Sequence, residues 1–180
     1  MNVLNALEVG ILHRLNDIIS CDFLDLVMPI VTHLGDAGFI WIVLALILIC
    51  FKKTRKAGMS MGIALVLGLI IGNLTLKPLV ARVRPYDFDT SIMLLIPKES
   101  DLSFPSGHTL ASFEGAFALF LRHRRAGIFA IVLAFMIAFS RLYLMVHYPS
   151  DVICGMVLGV ILAYVATKIT DKISKRYITE

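Results

Sequence analysis

The residues of this sequence best suited to chemistry fall into three short clusters, each carrying at least one cation or histidine. In chain order they are Lys77 with Arg84-Pro85, then Pro105-Ser106-Gly107-His108, then Ser140-Arg141 with His147 and Asp151. Three cations that face one pocket favour a polyanionic ligand, most economically a phosphate. Phosphoryl transfer requires a nucleophile, an acid for the leaving group and fixed positive charge, and the clusters contain all three.

The second cluster is typical of a helix start. Proline is common there, Ser106 can cap the helix, and Gly107 lets another group approach the backbone. Free N–H groups and the positive end of the helix dipole together bind anions well. We therefore expect a phosphate at this helix end; the alternative is a plain capped helix with His108 at the membrane interface.

The third cluster predicts a histidine held by a carboxylate. Because Pro149 disfavours a continuous helix, we expect His147 at the end of one helix and Asp151 in the first turn of the next. The carboxylate could accept the imidazole Nδ1–H and leave the Nε2 lone pair free to react. The alternative is a structural His–Asp bond that closes a helical turn.

The first cluster has a spacing of about two helical turns, which predicts that Lys77 and Arg84 return to a common point. A snorkelling lysine and a loop arginine are the alternative, and Arg82 between them is expected to be a solvated neighbour. His108, His147 and Asp151 could ligate a metal. The three cations argue against one, because they occupy the place where a metal would neutralise the phosphate; we expect no metal and no cofactor.

The composition of the chain indicates the environment in which these clusters lie. Hydrophobic residues make up 58% of the 180 residues, charged residues 17%, and the mean hydropathy is +0.85. A small soluble domain could not bury so much apolar surface, which excludes disorder and a free-standing nucleic-acid binder. The predicted fold class is an all-α polytopic membrane helical bundle. Largely apolar runs predict about five transmembrane helices, over residues 37–51, 57–76, 106–121, 126–146 and 152–167.

The sequence predicts a single domain over residues 1–180, with a helical core at residues 37–167. Apolar residues at helical spacing predict an interfacial helix over residues 1–20, while Glu8, Arg14 and Asp17 point away from the apolar stripe. Residues 22–35 are expected to form a short helix that spans or only dips into the membrane. Gly35-Asp36 is expected to break it.

Two features lie outside the clusters. Glu114 lies two turns below His108 on its predicted span. We expect it either to be a buried partner for a site cation or polar helix neighbour, or to pack between helices without a chemical role. The loop 86–104 carries four acidic residues around the apolar run 92–96. Long loops in compact folds are often lids, and this run could admit a lipid tail or simply anchor the loop at the interface.

Basic residues predict the orientation. They concentrate at residues 52–56, 122–125 and 168–176, which five spans place on one side of the membrane. Because basic loops stay cytoplasmic, we expect a cytoplasmic C-terminus, an extracytoplasmic N-terminus and an extracytoplasmic site. The expected partners of the protein are then membrane lipids, and we expect no nucleic-acid partner.

The three clusters together resemble the signature of the type 2 phosphatidic acid phosphatase (PAP2) superfamily, which includes membrane lipid phosphatases and vanadium haloperoxidases. The resemblance spans roughly residues 32–167. It implies that His147 is a nucleophile forming a phosphohistidine, that Asp151 holds it, and that His108 protonates the leaving oxygen. The phosphate cradle implied by the family contains Lys77, Arg84, Ser106, Gly107 and Arg141, with no metal.

The resemblance implies a lipid phosphatase, similar to bacterial undecaprenyl-diphosphate phosphatases, that releases undecaprenyl phosphate and inorganic phosphate. Phosphatidylglycerophosphate, phosphatidic acid and lipid A 1-phosphate are alternative substrates. The same charges could instead serve an anion or lipid transporter, although transport needs no nucleophile. Haloperoxidase chemistry is disfavoured by the lipid setting. The chain lacks an additional N-terminal span that longer members have, which leaves the role of residues 1–35 open.

Overall fold

The computed structural model describes residues 2–176, with the side chains of residues 3–175. The helices are α1 (Asn2–Ile19), α2 (Asp22–His33), α3 (Phe39–Cys50), α4 (Arg55–Gly68), α5 (Lys77–Val80), α6 (Pro85–Phe88), α7 (Gly107–Arg122), α8 (Arg124–Tyr143) and α9 (Pro149–Arg176). A 3₁₀ turn, Asp36–Gly38, precedes α3, and a π-helical segment, Leu69–Leu76, joins α4 to α5. The all-α class is confirmed. The single domain over 1–180 stays a prediction, and its outermost residues lie outside the described ones.

Helix α7 is the centre of the bundle and packs against α4, α8 and α9. Lipid supplies no hydrophobic drive for association between helices, so close contact depends on small residues. A Cβ at Gly159 of α9 would lie 2.8 Å from the backbone oxygen of Leu110, and one at Gly115 would lie 2.4 Å from the Trp41 ring. Trp41 also donates a hydrogen bond of 3.1 Å to Ser112 Oγ. These contacts fix α7, and with it the residues at its N-terminus.

Three stretches of the described chain are long and apolar enough to cross a membrane: Arg55–Phe88, Arg124–Tyr143 and Pro149–Lys175. The pair Asp22–His33 and Asp36–Cys50, bent by 42°, would make a fourth if it is one broken span. The break falls at the predicted Gly35-Asp36. The central α7 has 16 residues. The predicted number of five transmembrane helices is therefore not established.

Helix α1 has its polarity inverted relative to a soluble surface helix. Leu7 and Ile18 are 64% and 82% exposed, whereas Asn5, Glu8 and Leu12 are buried against the bundle. An apolar outer face suits contact with lipid. The predicted apolar stripe is thus present, and Glu8, which points away from it, points inward.

The two ends of the bundle differ in character. At one end Arg122 pairs with Asp171 at 2.8 Å and Ser60 Oγ donates to Thr170 Oγ1 at 3.1 Å, close to the three basic clusters. The predicted site residues gather at the opposite end, around the start of α7 and the start of α9.

Candidate active site

The structure brings residues of all three clusters around one cavity of about 570 Å³, lined by Lys77, Arg84, Gly107, His108 and His147. Lys77 begins α5 directly after the π-helical segment, a distortion often found at functional sites. The chain then turns at Ala81, whose φ is 49°. Lys77 and Arg84 meet at a common point, as predicted, but a non-helical bend brings Arg84 back and two helical turns do not.

Every cation of the cradle is paired with a carboxylate from the loop that precedes α7. Arg84 Nη2 contacts Glu99 Oε2 at 2.6 Å and also contacts Asp101 Oδ1. Asp101 pairs with Lys77, and Glu99 pairs with Arg141. We call residues 99–101 the acidic strap. Two carboxylates thus sit among the three cations predicted to hold a phosphate.

The strap is fixed to its surroundings by further bonds. Arg84 Nε donates to the Asp101 backbone oxygen at 2.8 Å. The Tyr86 hydroxyl donates to the Glu99 backbone oxygen at 3.0 Å and accepts from the Glu99 N–H at 3.1 Å. The strap therefore has a defined position over the cradle.

Both strap carboxylates are ionised at neutral pH. Burial raises the pKa of Glu99, but the Arg141 and Arg84 guanidinium groups outweigh burial and lower it. The same opposition acts on Asp101, where hydrogen bonding to Lys77 and the charge of Arg84 lower the pKa to about 2. The strap is thus an anion held by cations, the same pairing that a phosphate would make.

His147 lies in the turn between α8 and α9, with 1% of its surface exposed. The prediction had it at the end of a helix, but α8 ends at Tyr143. Its Nε2 lies 3.3 Å from Arg84 Nη1. Because a guanidinium can only donate, Nε2 is the accepting nitrogen and the ring proton belongs on Nδ1. Burial, followed by the charges of Arg84 and Arg141, lowers the pKa of His147 well below 6.5.

Asp151 stands in the first turn of α9, as predicted, and is fully buried. Its Oδ2 accepts from Ser103 Oγ at 2.5 Å and from the Tyr148 N–H at 3.0 Å. His147 Nδ1 lies 3.6 Å from the same oxygen, which is longer than a hydrogen bond. The predicted hydrogen bond from His147 to Asp151 is therefore not formed here, although a shift of about half an ångström would close it.

Arg82 is not the solvated neighbour that the sequence suggested. It is 3% exposed, and its Nη1 contacts Asp151 Oδ1 at 2.6 Å. Its guanidinium carbon lies 3.8 Å from the centre of the Tyr148 ring. The sequence analysis set Arg82 apart from Arg84 as a solvated residue, and this role was missed because the partners of Arg82 are distant in sequence.

At the start of α7, Ser106 is the N-cap, and its hydroxyl accepts the Thr109 N–H at 3.5 Å. Gly107 follows in the cavity wall, where a Cβ would lie 3.4 Å from Asn73 Oδ1 and 3.9 Å from Lys77 Nζ. His108 Nε2 lies 2.9 Å from Asp36 Oδ1. The predicted helix start is present, with a carboxylate beside its histidine that the sequence did not indicate.

Among residues 2–176, no group of three or more His, Cys, Asp or Glu side chains is arranged to hold a metal ion. His108, His147 and Asp151, considered as ligands from the sequence, have other neighbours. Their pairing is with Asp36, Arg84 and Arg82 respectively.

The cavity continues from the cradle into an apolar region between α3, α4 and α7, lined by Ile42, Leu46, Leu65 and Val66. Glu114 also lines it. Its Oε1 has no hydrogen-bond partner among the described residues and lies where a Cβ of Gly68 would be. The suggested pairing of Glu114 with a site cation is absent from the described structure.

Sequence reasoning missed the strap, Ser103, Asp36 and the role of Arg82. The acidic residues of the loop were visible, but their partners were not, because ion pairing between distant segments leaves no periodic signal. Nothing in the sequence distinguished Asp36 from a loop-capping residue.

A protein-family model described as the PAP2 superfamily matches residues 57–175. An undecaprenyl-diphosphatase from Sulfolobus acidocaldarius is 36% identical over 132 residues, covering 73% of this chain and 64% of the relative. The undecaprenyl-diphosphatase BcrC of Bacillus subtilis is 30% identical over 148 residues, covering 82% of this chain and 76% of that protein. This chain therefore spans slightly less than two thirds of the archaeal relative.

Among solved structures, a transmembrane PAP2-type phosphatidylglycerolphosphate phosphatase from Bacillus subtilis superimposes with a TM-score of 0.76 at 26% identity. The superposition covers 96% of this chain and 89% of that chain. Helices α1 to α3 lie before residue 57, where the family-model match begins. The structural superposition covers 96% of this chain and therefore includes most of these three helices. Together with the apolar helices, the likeness to membrane enzymes makes this chain a multi-pass membrane protein.

Proposed function

Because the chain belongs to the PAP2 superfamily, we propose that it is a membrane lipid phosphatase that hydrolyses a lipid phosphate or diphosphate through a phosphohistidine intermediate. The observation that carries the proposal is the convergence of Lys77, Arg84, His108 and His147 on one cavity, with Arg141 joined to them through Glu99. Cations, helix N-terminus and two imidazoles in one cavity suit a bound phosphate better than a neutral ligand.

The phosphate enters by exchange with the strap. The strap carboxylates occupy the guanidinium and ammonium donors that phosphate oxygens require, so the lipid phosphate must replace them. Arg84 then bonds an oxygen of the substrate, and its contact with His147 Nε2 is released. The backbone N–H of Gly107 and the capped start of α7 add donors.

In the first chemical step the Nε2 lone pair of His147 attacks phosphorus. A P–N bond forms and the P–O bond to the lipid breaks, while Asp151 stabilises the positive imidazole through Nδ1–H. His108 gives its proton to the departing oxygen, which leaves as an alcohol or as a lipid monophosphate.

In the second step water attacks the phosphohistidine, and His108 takes a proton from that water. The P–N bond breaks, His147 recovers its lone pair, and inorganic phosphate is released. The cations balance charge on the phosphoryl oxygens throughout. Because protein cations serve this purpose, we propose that the reaction is independent of metal.

The favoured substrate is undecaprenyl diphosphate. The apolar extension of the cavity can receive the first part of a lipid chain, and two similar proteins are named undecaprenyl-diphosphatases. A phosphatidylglycerophosphate remains the second candidate, because the solved structure described above is named for that lipid. We further propose that the site is extracytoplasmic and the C-terminus cytoplasmic, in accord with the basic clusters at the opposite end of the bundle.

The test is phosphate release from purified protein given undecaprenyl diphosphate, phosphatidylglycerophosphate, phosphatidic acid and a lipid A phosphate, each with and without EDTA. We expect release that EDTA leaves unchanged and that His147→Gln abolishes. Asp17→Asn, an exposed acid-to-amide change on α1, is the control. Absence of release from every lipid would contradict the function and favour a transporter, and a strict need for a divalent metal would contradict the cation cradle.

A further inference from the structure

Asp151 has an outward contact that the proposed chemistry does not use. One carboxylate oxygen faces Ser103 and His147, while the other contacts Arg82 Nη1 at 2.6 Å. Arg82 lies outside the cavity wall and cannot touch the substrate phosphate without leaving Asp151. Its position therefore matters to the reaction only through the carboxylate that it holds.

Arg82 is itself held by the N-terminal helix. Asn5 Oδ1 accepts from Arg82 Nε at 3.0 Å and from Nη2 at 2.8 Å, and Glu8 pairs with Nη2. Glu8 also accepts from the Ser150 N–H at 2.7 Å and the Ser150 hydroxyl at 2.9 Å. Ser150 precedes Asp151, so α1 fixes both the guanidinium and the backbone next to the catalytic carboxylate.

We propose that α1 is a positioning element of the active site, in which Glu8 and Asn5 orient Arg82 and Arg82 orients Asp151 toward His147. The inference rests on the proposed function. It assigns a role to α1, which lies outside the three clusters and before residue 57, where the family-model match begins.

Charge and burial support this role. Glu8, Arg82 and Asp151 are all less than one tenth exposed. A buried guanidinium between two carboxylates fixes their directions, because its donors form a rigid fork. Apart from Arg14 and Asp17, the exposed residues of α1 are apolar, so its inward polar residues specify how α1 sits against the bundle. A helix held only by apolar contacts would not need them.

The experiment compares Glu8→Gln and Arg82→Lys with Arg82→Met, with Asp17→Asn as the matched amide control on α1. We measure kcat, KM, inhibition by orthovanadate and the thermal unfolding midpoint of each purified protein. A positioning role predicts that Glu8→Gln and Arg82→Lys lower kcat about ten- to hundredfold, the range known for groups that orient metal-bound histidines. KM and vanadate inhibition should stay within about twofold, because none of these residues lines the cavity.

A second readout separates positioning from folding. In an Asp151→Asn background, Glu8→Gln should cause less than twofold further loss, because the carboxylate that it orients is gone. Arg82→Lys should retain more activity than Arg82→Met. Additive losses in the Asp151→Asn background, or a lower unfolding midpoint with unchanged kcat, would overturn the inference.

Failure of the proposed function can be told apart from failure of this inference. If the wild-type protein releases no phosphate, the function itself fails. If the wild type is active and both Glu8→Gln and Arg82→Lys keep its kcat, only the inference fails. If neither variant folds, the role of the network is structural and the inference is likewise overturned.

Discussion

At the scale of single residues, the proposed attack on phosphorus depends on keeping His147 neutral. The imidazole is buried beside Arg84 and Arg141, and these surroundings lower its pKa well below 6.5. A nucleophile needs its lone pair, so the surroundings that disfavour the imidazolium favour attack on phosphorus. The same effect makes the fold sensitive to acid, because the unfolded histidine binds a proton more readily than the folded one.

The sign of the pH dependence follows from that shift. The contribution of His147 to stability is complete above the unfolded pKa of about 6.5 and is lost as pH falls toward its lower folded pKa.

We expect histidine ¹⁵N NMR to show His147 neutral at pH 6, with its signal identified by loss in His147→Gln. Because Glu99 raises the pKa of His147, Glu99→Gln should lower it further, whereas Asp87→Asn should leave it unchanged. A protonated His147 at pH 6 would contradict this.

We propose a separate role for His108 as the acid, and variation of the leaving group can test this role. Acid catalysis matters most for a poor leaving group, so His108→Gln should slow a lipid monoester by about 10²- to 10⁴-fold. A diphosphate substrate should lose much less, because its leaving phosphate needs less protonation. The test compares the kcat of the wild type and of His108→Gln for phosphatidic acid and for undecaprenyl diphosphate. Equal losses of kcat for the two substrates would count against His108 as the acid.

At the scale of elements, the acidic strap is the main departure from a simple phosphate cradle. Its two carboxylates pair with Lys77, Arg84 and Arg141. We propose that they compete with phosphate for these cations. Removal of one strap charge should therefore strengthen anion binding. We expect Glu99→Gln and Asp101→Asn each to lower the inhibition constant of orthovanadate severalfold.

Asp87→Asn is the control for this prediction, because Asp87 lies in the same loop but pairs with Lys98 at 3.3 Å and not with the cradle. Competition also predicts that the two strap substitutions add to each other. Weaker vanadate inhibition in either variant would mean that the strap supports anion binding and does not oppose it.

The sequence predicted the elements near the site unevenly. The start of α7 was predictable because capping obeys local rules that Ser106 and Gly107 display. The bend between Lys77 and Arg84 was not, because neither the π-helical segment nor the positive φ of Ala81, which is not a glycine, has a local sequence signature. The strap was hidden for a related reason: each of its ion pairs joins residues that are distant in sequence.

At the scale of the whole molecule, composition was sufficient to predict a membrane helical bundle, but not the number of spans. Short helices such as α3 and α7 cross only if neighbouring elements complete them, and hydropathy alone does not report on neighbours. The inward polar face of α1 was likewise unpredictable, since its partner Arg82 resembled a solvated loop residue in the sequence.

The orientation of the bundle has a direct test. In a variant in which Cys21, Cys50 and Cys154 are replaced, we introduce Ser91→Cys in the exposed loop beside the site or Lys172→Cys on α9. We expect a membrane-impermeant maleimide added to intact cells to label the cysteine at 91 only, with the one at 172 labelled after permeabilisation. The reverse pattern would place the site on the cytoplasmic side.

The central claim is that phosphate passes through a covalent bond to His147. The most direct measurement is rapid acid quenching of purified protein mixed with lipid carrying a ³²P-labelled terminal phosphate, followed by separation of the labelled protein. The account predicts label that is stable in alkali, released by acid, present in Asp17→Asn and absent in His147→Gln. Label of the same amount in His147→Gln, or phosphate release at the wild-type rate from that variant, would contradict the account.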